Sequence, residues 1–475
     1  MEKNGEYLTF EGLNITSIDW YTKGNHDCSL DVSNGTHEYN HSDGSVWQKY
    51  TIEDGKPNGE WKIYHANGEV NVERYYENGK RQGVWKIFHD NGKLWNTVSY
   101  QDDKKHGYCE NLRIDGVLES HGEYDNGNKI GEWIYFYDNG FPQYKGEYKQ
   151  NLKVGVWYEL SIEESDVKVG ESNYVDGLLD GTYLEFGKKN ITLVEGLYHQ
   201  DKKIGKWIHN DKLGNLRKEE NYSNGKLSGK FIQVHPNGKK WKVGNYKDGN
   251  LDGVYFEYHP SGYKVLEGEY KKGIKENTWS QYHSNKFIMS KGNYHKGKKN
   301  GKWVFYQQNG NKSEVIDYKN DKFEGEYHRW YKSGIKNIEG HYIEDEKIGK
   351  WIYWYENESP KTETTYSNNK IVYEKRWDTE GNLVYKKGNG LVENFYKGGC
   401  LKSKISYIDG KRDGLYVEYF KNGNERCKGE MSSDSMNGHW TFFYHNGKKE
   451  MEGDFTFGQA TNVKIYHDNG ELKSD

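Results

Sequence analysis

Lysines that follow glycines come closest to a recognisable chemistry in this sequence, because a glycine-rich turn ending in Lys can wrap a phosphate. Gly297-Lys-Lys-Asn-Gly301-Lys302 is the best example. It lacks both the four-residue gap and the following Ser or Thr of a phosphate loop, and it precedes a strand-forming run, so it reads as a hairpin turn. Eighteen histidines are scattered without an H-E-x-x-H pair or a Cys cluster, so no metal site is expected. Cys28, Cys109, Cys400 and Cys427 form no C-x-x-C pair, which suits a reducing compartment. Glu163-Glu164 sits in a polar stretch with nothing to desolvate a carboxyl. Neither enzyme chemistry nor a cofactor is expected. Lys56, Lys80, Lys104, Lys202, Lys226, Lys298, Lys322, Lys370 and Lys411 recur at one place in a repeat, as a solubilising ladder or a rim for acidic partners or head groups.

The elements around these residues are thin. Of the 475 residues 33% are hydrophobic and 29% charged, which alone would suit disorder. Forty-two Tyr, sixteen Trp and sixteen Phe reverse that reading, since they favour pleated, half-buried surfaces. Fifty-seven Gly beside five Pro imply many tight turns between strands that keep their donors. Net charge is -4, from 68 basic and 72 acidic residues interspersed along the chain, so attraction to nucleic acid is not expected. The N-terminal stretch has no leader-like pattern and no apolar run is long enough to span a bilayer, so a soluble, cytoplasmic protein is expected.

A repeat organises the chain. With the aromatic of G-x-W as position zero, it falls at Trp61, Trp85, Trp133, Trp157, Tyr183, Trp207, Phe231, Tyr255, Trp279, Trp303, Tyr327, Trp351, Tyr416 and Trp440, mostly in steps of 24 or its multiples. About nineteen units are expected. Asn-Gly follows at offsets six and seven, as in Asn139-Gly140 and Asn309-Gly310, where a two-residue type I′ turn would close a hairpin. That turn would set facing offsets to sum to thirteen, so Trp133 would face and cover Gly146, and Tyr148 would cover Gly131.

These units resemble the MORN-repeat variant, whose pattern is approximately G-x-Y-x-x-G-K-x-x-G-x-W-x-x-Y-x-x-N-G. The resemblance implies an all-β, elongated open antiparallel sheet of stacked hairpins. Chains made only of such repeats are similar to the YwqK family of bacterial antitoxins, which implies binding and neutralising a toxin. Four regions are expected: 1–33 as an N-terminal cap, 34–358 as the main array, 359–400 as irregular repeats, and 401–475 as C-terminal repeats.

Strand alternation assigns jobs to the tryptophans. Trp61, Trp85, Trp133, Trp157, Trp207, Trp279, Trp303, Trp351 and Trp440 are expected to hold the sheet together. Trp95, Trp241, Trp330 and Trp354, at offsets three and ten, are expected to face one another across the opposite side and to anchor a protein partner, which the antitoxin resemblance implies to be a toxin. The rival expectation is a phospholipid-associated scaffold.

Overall fold

Most half-repeats form one strand of six to nine residues, because alternate positions carry aromatic or β-branched side chains and Gly or Asn breaks the run at both ends. The computed structural model describes residues 5–11, 14–22, 25–41, 43–387, 390–408 and 411–474. The side chains of residues 5–30, Trp20 and Cys28 among them, lie outside the described set. All the strands are antiparallel, and no helix among the described residues is long and apolar enough to cross a membrane.

The chain divides into two units, Met1–Gly238 and Lys239–Asp475. In the first, Gly5–Glu11, Asn14–Thr22 and Asn25–Leu30 make a three-stranded sheet of their own. A second sheet runs from Gly35–Asn40 to Gly229–Val234, each strand pairing with its neighbours in sequence. The second unit repeats that ladder from Lys240–Lys247 to Leu472–Ser474, and residues 359–400 continue it, with Leu383–Lys387 and Gly390–Phe395 shorter than their neighbours. No pairing among the described residues joins the last strand of either ladder to its first, so both sheets are open.

The two turns of a repeat differ, and the type I′ turn expected at offsets six and seven is not found there. At Asn139-Gly140 the Tyr137 amide donates to the Phe141 carbonyl at 2.8 Å and the Gly140 amide to the Tyr137 carbonyl at 2.9 Å. Of these loop residues only Gly140 has positive φ (83°), so this is a type I turn closed by a left-handed glycine. The type I′ turn lies at the other end of the strand, as at Asn126-Gly127, with φ of 50° and 86° between the paired Asp125 and Asn128. The three-residue loop shifts the outermost pair to Phe136–Pro142, and leaving Gln143 unpaired restores the expected register at Tyr135–Tyr144 and Trp133–Gly146. Offset three therefore faces nine, not ten.

The tryptophans cover other glycines than the ones they pair with. Trp133 pairs with Gly146, but its ring lies on Gly122, eleven residues earlier, on the other neighbouring strand. A Cβ on Gly122 would sit 2.3 Å from the Trp133 ring, and Gly146 lies instead under Trp157. The same pairing recurs at Gly196/Trp207, Gly268/Trp279, Gly292/Trp303, Gly340/Trp351 and Gly429/Trp440. A bulge makes it possible. His121 pairs with Ile134 and Glu123 with Ile130, so Gly122 stands against three residues, Gly131, Glu132 and Trp133. The bulge opens the ladder at the Glu123 carbonyl, and the Trp133 indole N–H donates to it at 3.2 Å. Trp85, Trp157, Trp207, Trp279, Trp303 and Trp440 make the same bond to the carbonyl ten residues back, which gives the repeat a reason to use Trp rather than Phe. Gly131 needs no covering tyrosine: nothing lies within 4 Å of where its Cβ would be, and its φ of +61° is what favours glycine, Asn277 holding the same place in its repeat at 58°.

Along this face the rings interlock. Tyr124, Trp133, Tyr148 and Trp157 meet edge to face at 5.0 to 6.1 Å, and the Lys129 ammonium lies 3.9 Å from the Trp133 ring centre. Lys153, Lys203 and Lys275 hold the equivalent place at 3.8 to 4.3 Å from Trp157, Trp207 and Trp279, and burial pulls their ammonium groups below the usual lysine range. Where the glycine is missing the stack adjusts. Trp61 stacks on Tyr50 at 4.6 Å, and the Arg74 guanidinium sits between Trp61 and Trp85 at 5.7 and 5.3 Å, leaving Trp85 only half-buried. The other tryptophans expected to hold the sheet are buried, at 4% exposure or less.

Candidate functional site

The residues weighed for chemistry are spread along the strands and rims. Cys109 stands at position zero, buried against Val98, and its thiol is pushed up by burial; Cys427, also buried, is pushed up to about 11. Cys400 is exposed. Gly297 lies in the type I′ turn with Lys296, between two paired strands. The Glu163 and Glu164 amides donate to the Ser161 hydroxyl in an exposed loop. Among the described residues no three His, Cys, Asp or Glu side chains gather as metal ligands. The lysine ladder follows the type I′ turns, and some members are paired to the next turn, Lys80 to Asp102 at 3.0 Å and Lys322 to Glu344 at 3.7 Å.

The four off-pattern tryptophans separate into two kinds of place. Trp95 is the unpaired residue between Leu94, paired to Phe88, and Asn96, paired to Ile87. It is 50% exposed and stacks on His89 at 5.6 Å. Because it sits in a bulge, alternation does not assign its face, and offsets three and ten are not partners. Trp241 holds the same offset in its own repeat, is 39% exposed, and has the Lys242 ammonium 4.7 Å from its ring centre. Trp330 and Trp354, both at offset three of the second unit, are brought together. Trp330 pairs with Lys336, whose ammonium lies 5.4 Å from the Trp354 ring centre and 2.8 Å from Glu339.

Trp330 and Trp354 belong to a file. Tyr282, Tyr306, Trp330 and Trp354 occupy the same register position in successive repeats, paired with Ile288, Lys312, Lys336 and Pro360, and each is half-buried. Between the loops, beside this file, lie shallow cavities. One of about 670 Å³ has Trp330 in its wall with Arg329, Lys332 and Asn337; another of about 680 Å³ has Tyr282 with Lys264 and Lys286. Sequence reasoning found the tryptophans by their irregularity but missed Arg329, Lys332 and Lys336, which carry no motif and become a group only once the loops are stacked.

The loops are held in that stack by the Asn of Asn-Gly. Asn309 Oδ1 accepts the Asn311 amide at 3.0 Å while its Nδ2 donates to the Lys332 carbonyl of the next loop at 3.1 Å. Asn67, Asn91, Asn139, Asn422 and Asn446 make both bonds in their repeats. At offset four Tyr331 donates its hydroxyl to the Trp354 carbonyl at 2.7 Å. Four segments match the MORN repeat variant. They are residues 57–78, 81–102, 347–368 and 436–456, two in each unit. Each MORN-variant segment begins about four residues before a buried or half-buried Trp, and three of the four include an Asn-Gly loop, the segment 347–368 carrying Asn357-Glu358 there instead. No curated protein matches the chain. Among solved structures the chain is similar to a crystal structure of TcdB2-TccC3-Cdc42, at 12% identity over 96% of this chain and 27% of that one, with a TM-score of 0.14. It is likewise similar to a crystal structure of TcdB2-TccC3, at 10% identity over 92% of this chain and 31% of that one, with a TM-score of 0.13. The chain thus spans about a third or less of the solved chains it aligns with.

Proposed function

We propose that this MORN-variant repeat chain is a non-catalytic scaffold that binds a protein partner through the offset-three file of its second unit. The observation that carries the reading is the joining of Trp330 and Trp354 across Lys336 on a half-buried file, with cavities between the loops beside it. Large rings already held by a rigid sheet lose little entropy when a partner covers them, and Trp is enriched among interface anchors. Neutralising a toxin, as the resemblance to YwqK-type antitoxins implies, is a finer version of the same reading.

Affinity capture from the native host with the wild-type chain and with Trp330→Ala/Trp354→Ala tests it. One protein should be retained by the wild type and lost by the variant, while thermal unfolding of the two chains coincides. If that protein arrests growth when expressed alone and the arrest is lifted by the wild-type chain only, the antitoxin version holds. A variant that melts early yet keeps its partner would place the tryptophans in packing and the binding site elsewhere. The rival phospholipid reading draws on the exposed lysine ladder, and co-sedimentation with anionic vesicles distinguishes it.

A further inference from the structure

We infer that the file from Tyr282 to Trp354 receives an acidic peptide segment in the polyproline II conformation; this rests on the protein-binding reading and names the kind of segment bound. The period of the file fits such a segment. The aromatics recur on every second strand, and two strands span about 9.6 Å. A polyproline II helix turns once in three residues of 3.1 Å, about 9.3 Å, so every third side chain returns to the same face once per aromatic. An extended strand of three residues covers a similar distance but puts the third side chain on the opposite face. An α-helix has a pitch of about 5.4 Å, far from that spacing.

The chemistry of the cavity wall fits it too. A polyproline II backbone has no internal hydrogen bonds, so its carbonyls need external donors. Gln308, Ser313 and Asn337 line the Trp330 cavity, and their side chains form no hydrogen bond among the described residues. Aromatic floors with amide donors between them are the general means by which such segments are held. The charge of the walls points to acidic side chains. No carboxylate lines either the Tyr282 or the Trp330 cavity, whereas Lys286, Arg329 and Lys332 do, and none of the three forms an ion pair among the described residues. Lys312, across the strand pair from Tyr306, is likewise without one. A ligand carrying acidic residues between its prolines complements both the rings and the cations.

Fluorescence anisotropy of a labelled twelve-residue Pro-Pro-Glu repeat against the full chain tests this. Binding should weaken about tenfold or more when glutamine replaces glutamate, when glycine replaces proline, and in Trp330→Ala/Trp354→Ala. Arg329→Gln/Lys332→Gln, which leaves both rings in place, should weaken it and flatten its salt dependence, so a fold defect in the tryptophan variant does not decide the outcome. Equal binding of the Gly-Gly-Glu peptide would overturn the conformation, and equal binding of the Pro-Pro-Gln peptide would overturn the charge. If the captured partner is lost from the tryptophan variant but the Pro-Pro-Glu peptide neither binds nor competes, the partner reading stands and this inference falls. Binding of phosphatidylserine vesicles without binding of the peptide would overturn both.

Discussion

Two glycines of one repeat are irreplaceable for different reasons, and their alanine variants separate those reasons. On Gly292 a Cβ would lie 2.2 Å from the Trp303 ring, so either the strands part or the indole leaves its place. Losing the seat of a buried Trp costs about 3 kcal/mol or more. At Gly301 nothing lies within 4 Å, and the penalty of Ala is the left-handed backbone at φ +74°, about 1–2 kcal/mol. Trp303→Phe keeps a ring but strands the Asn293 carbonyl that the indole N–H reaches at 3.1 Å, costing about 1–3 kcal/mol. Hydrogen exchange in the strands Ile288–His295 and Lys298–Tyr306 should rank Gly292→Ala above Gly301→Ala; the reverse order would remove the Trp-on-glycine seat as the main constraint. The spacing made the Trp–Gly pairing across the loop legible, including Trp133 with Gly146. It could not show the glycine actually covered, because the two additional residues of the bulge leave no compositional mark. Their one signature, the glycine two residues before Trp, suits a covered glycine as well as a left-handed one.

Strands and loops were legible as elements, but their turn types were not, since Asn-Gly satisfies both a type I′ turn and a type I turn closed by a left-handed glycine. That ambiguity shifted one register position, moving Trp95 and Trp241 away from the file that holds Trp330 and Trp354. The loop type also decides what its Asn does. With Asn139 at negative φ the side chain is free to accept from the residue two ahead and to donate to the next loop, at 3.0 and 2.9 Å. Asn309→Ala should therefore loosen two loops, its own and that of Lys332, by about 1 kcal/mol for each bond lost. Asn309→Asp keeps the acceptor and loses the donor. Its own loop should stay protected at the Asn311 amide while the Lys332 loop exchanges faster, as amide-resolved exchange would show. Equal loosening of both loops by Asp would mean that the Asn stabilises its own turn and not the stack.

Over the whole molecule each strand touches mainly the strands beside it, so stability is expected to be a sum of local terms with little coupling over distance. The boundary at Gly238/Lys239 was not legible, because Asn237-Gly238 is one of several Asn-Gly loops in the array, alike in composition to Asn139-Gly140 and Asn309-Gly310. A substitution that damages one repeat strongly measures how far such coupling reaches. Gly340→Ala is suited to this, since its Cβ would lie 2.2 Å from the Trp351 ring and the failure begins at one known seat. Trp351 packs with Tyr342, Tyr353 and Tyr366, so exchange should rise in Lys336–Ile343, Glu346–Trp354 and Pro360–Ser367. It should stay at the wild-type level in Asn128–Phe136 and through the rest of Met1–Gly238. Those same strands carry Trp330's partner Lys336 and Trp354 itself, so partner affinity should fall with the local loosening while the first unit melts as before. A rise in exchange across Met1–Gly238 would show instead that the two units unfold as one cooperative body, and the nearest-neighbour account of this repeat would have to be abandoned.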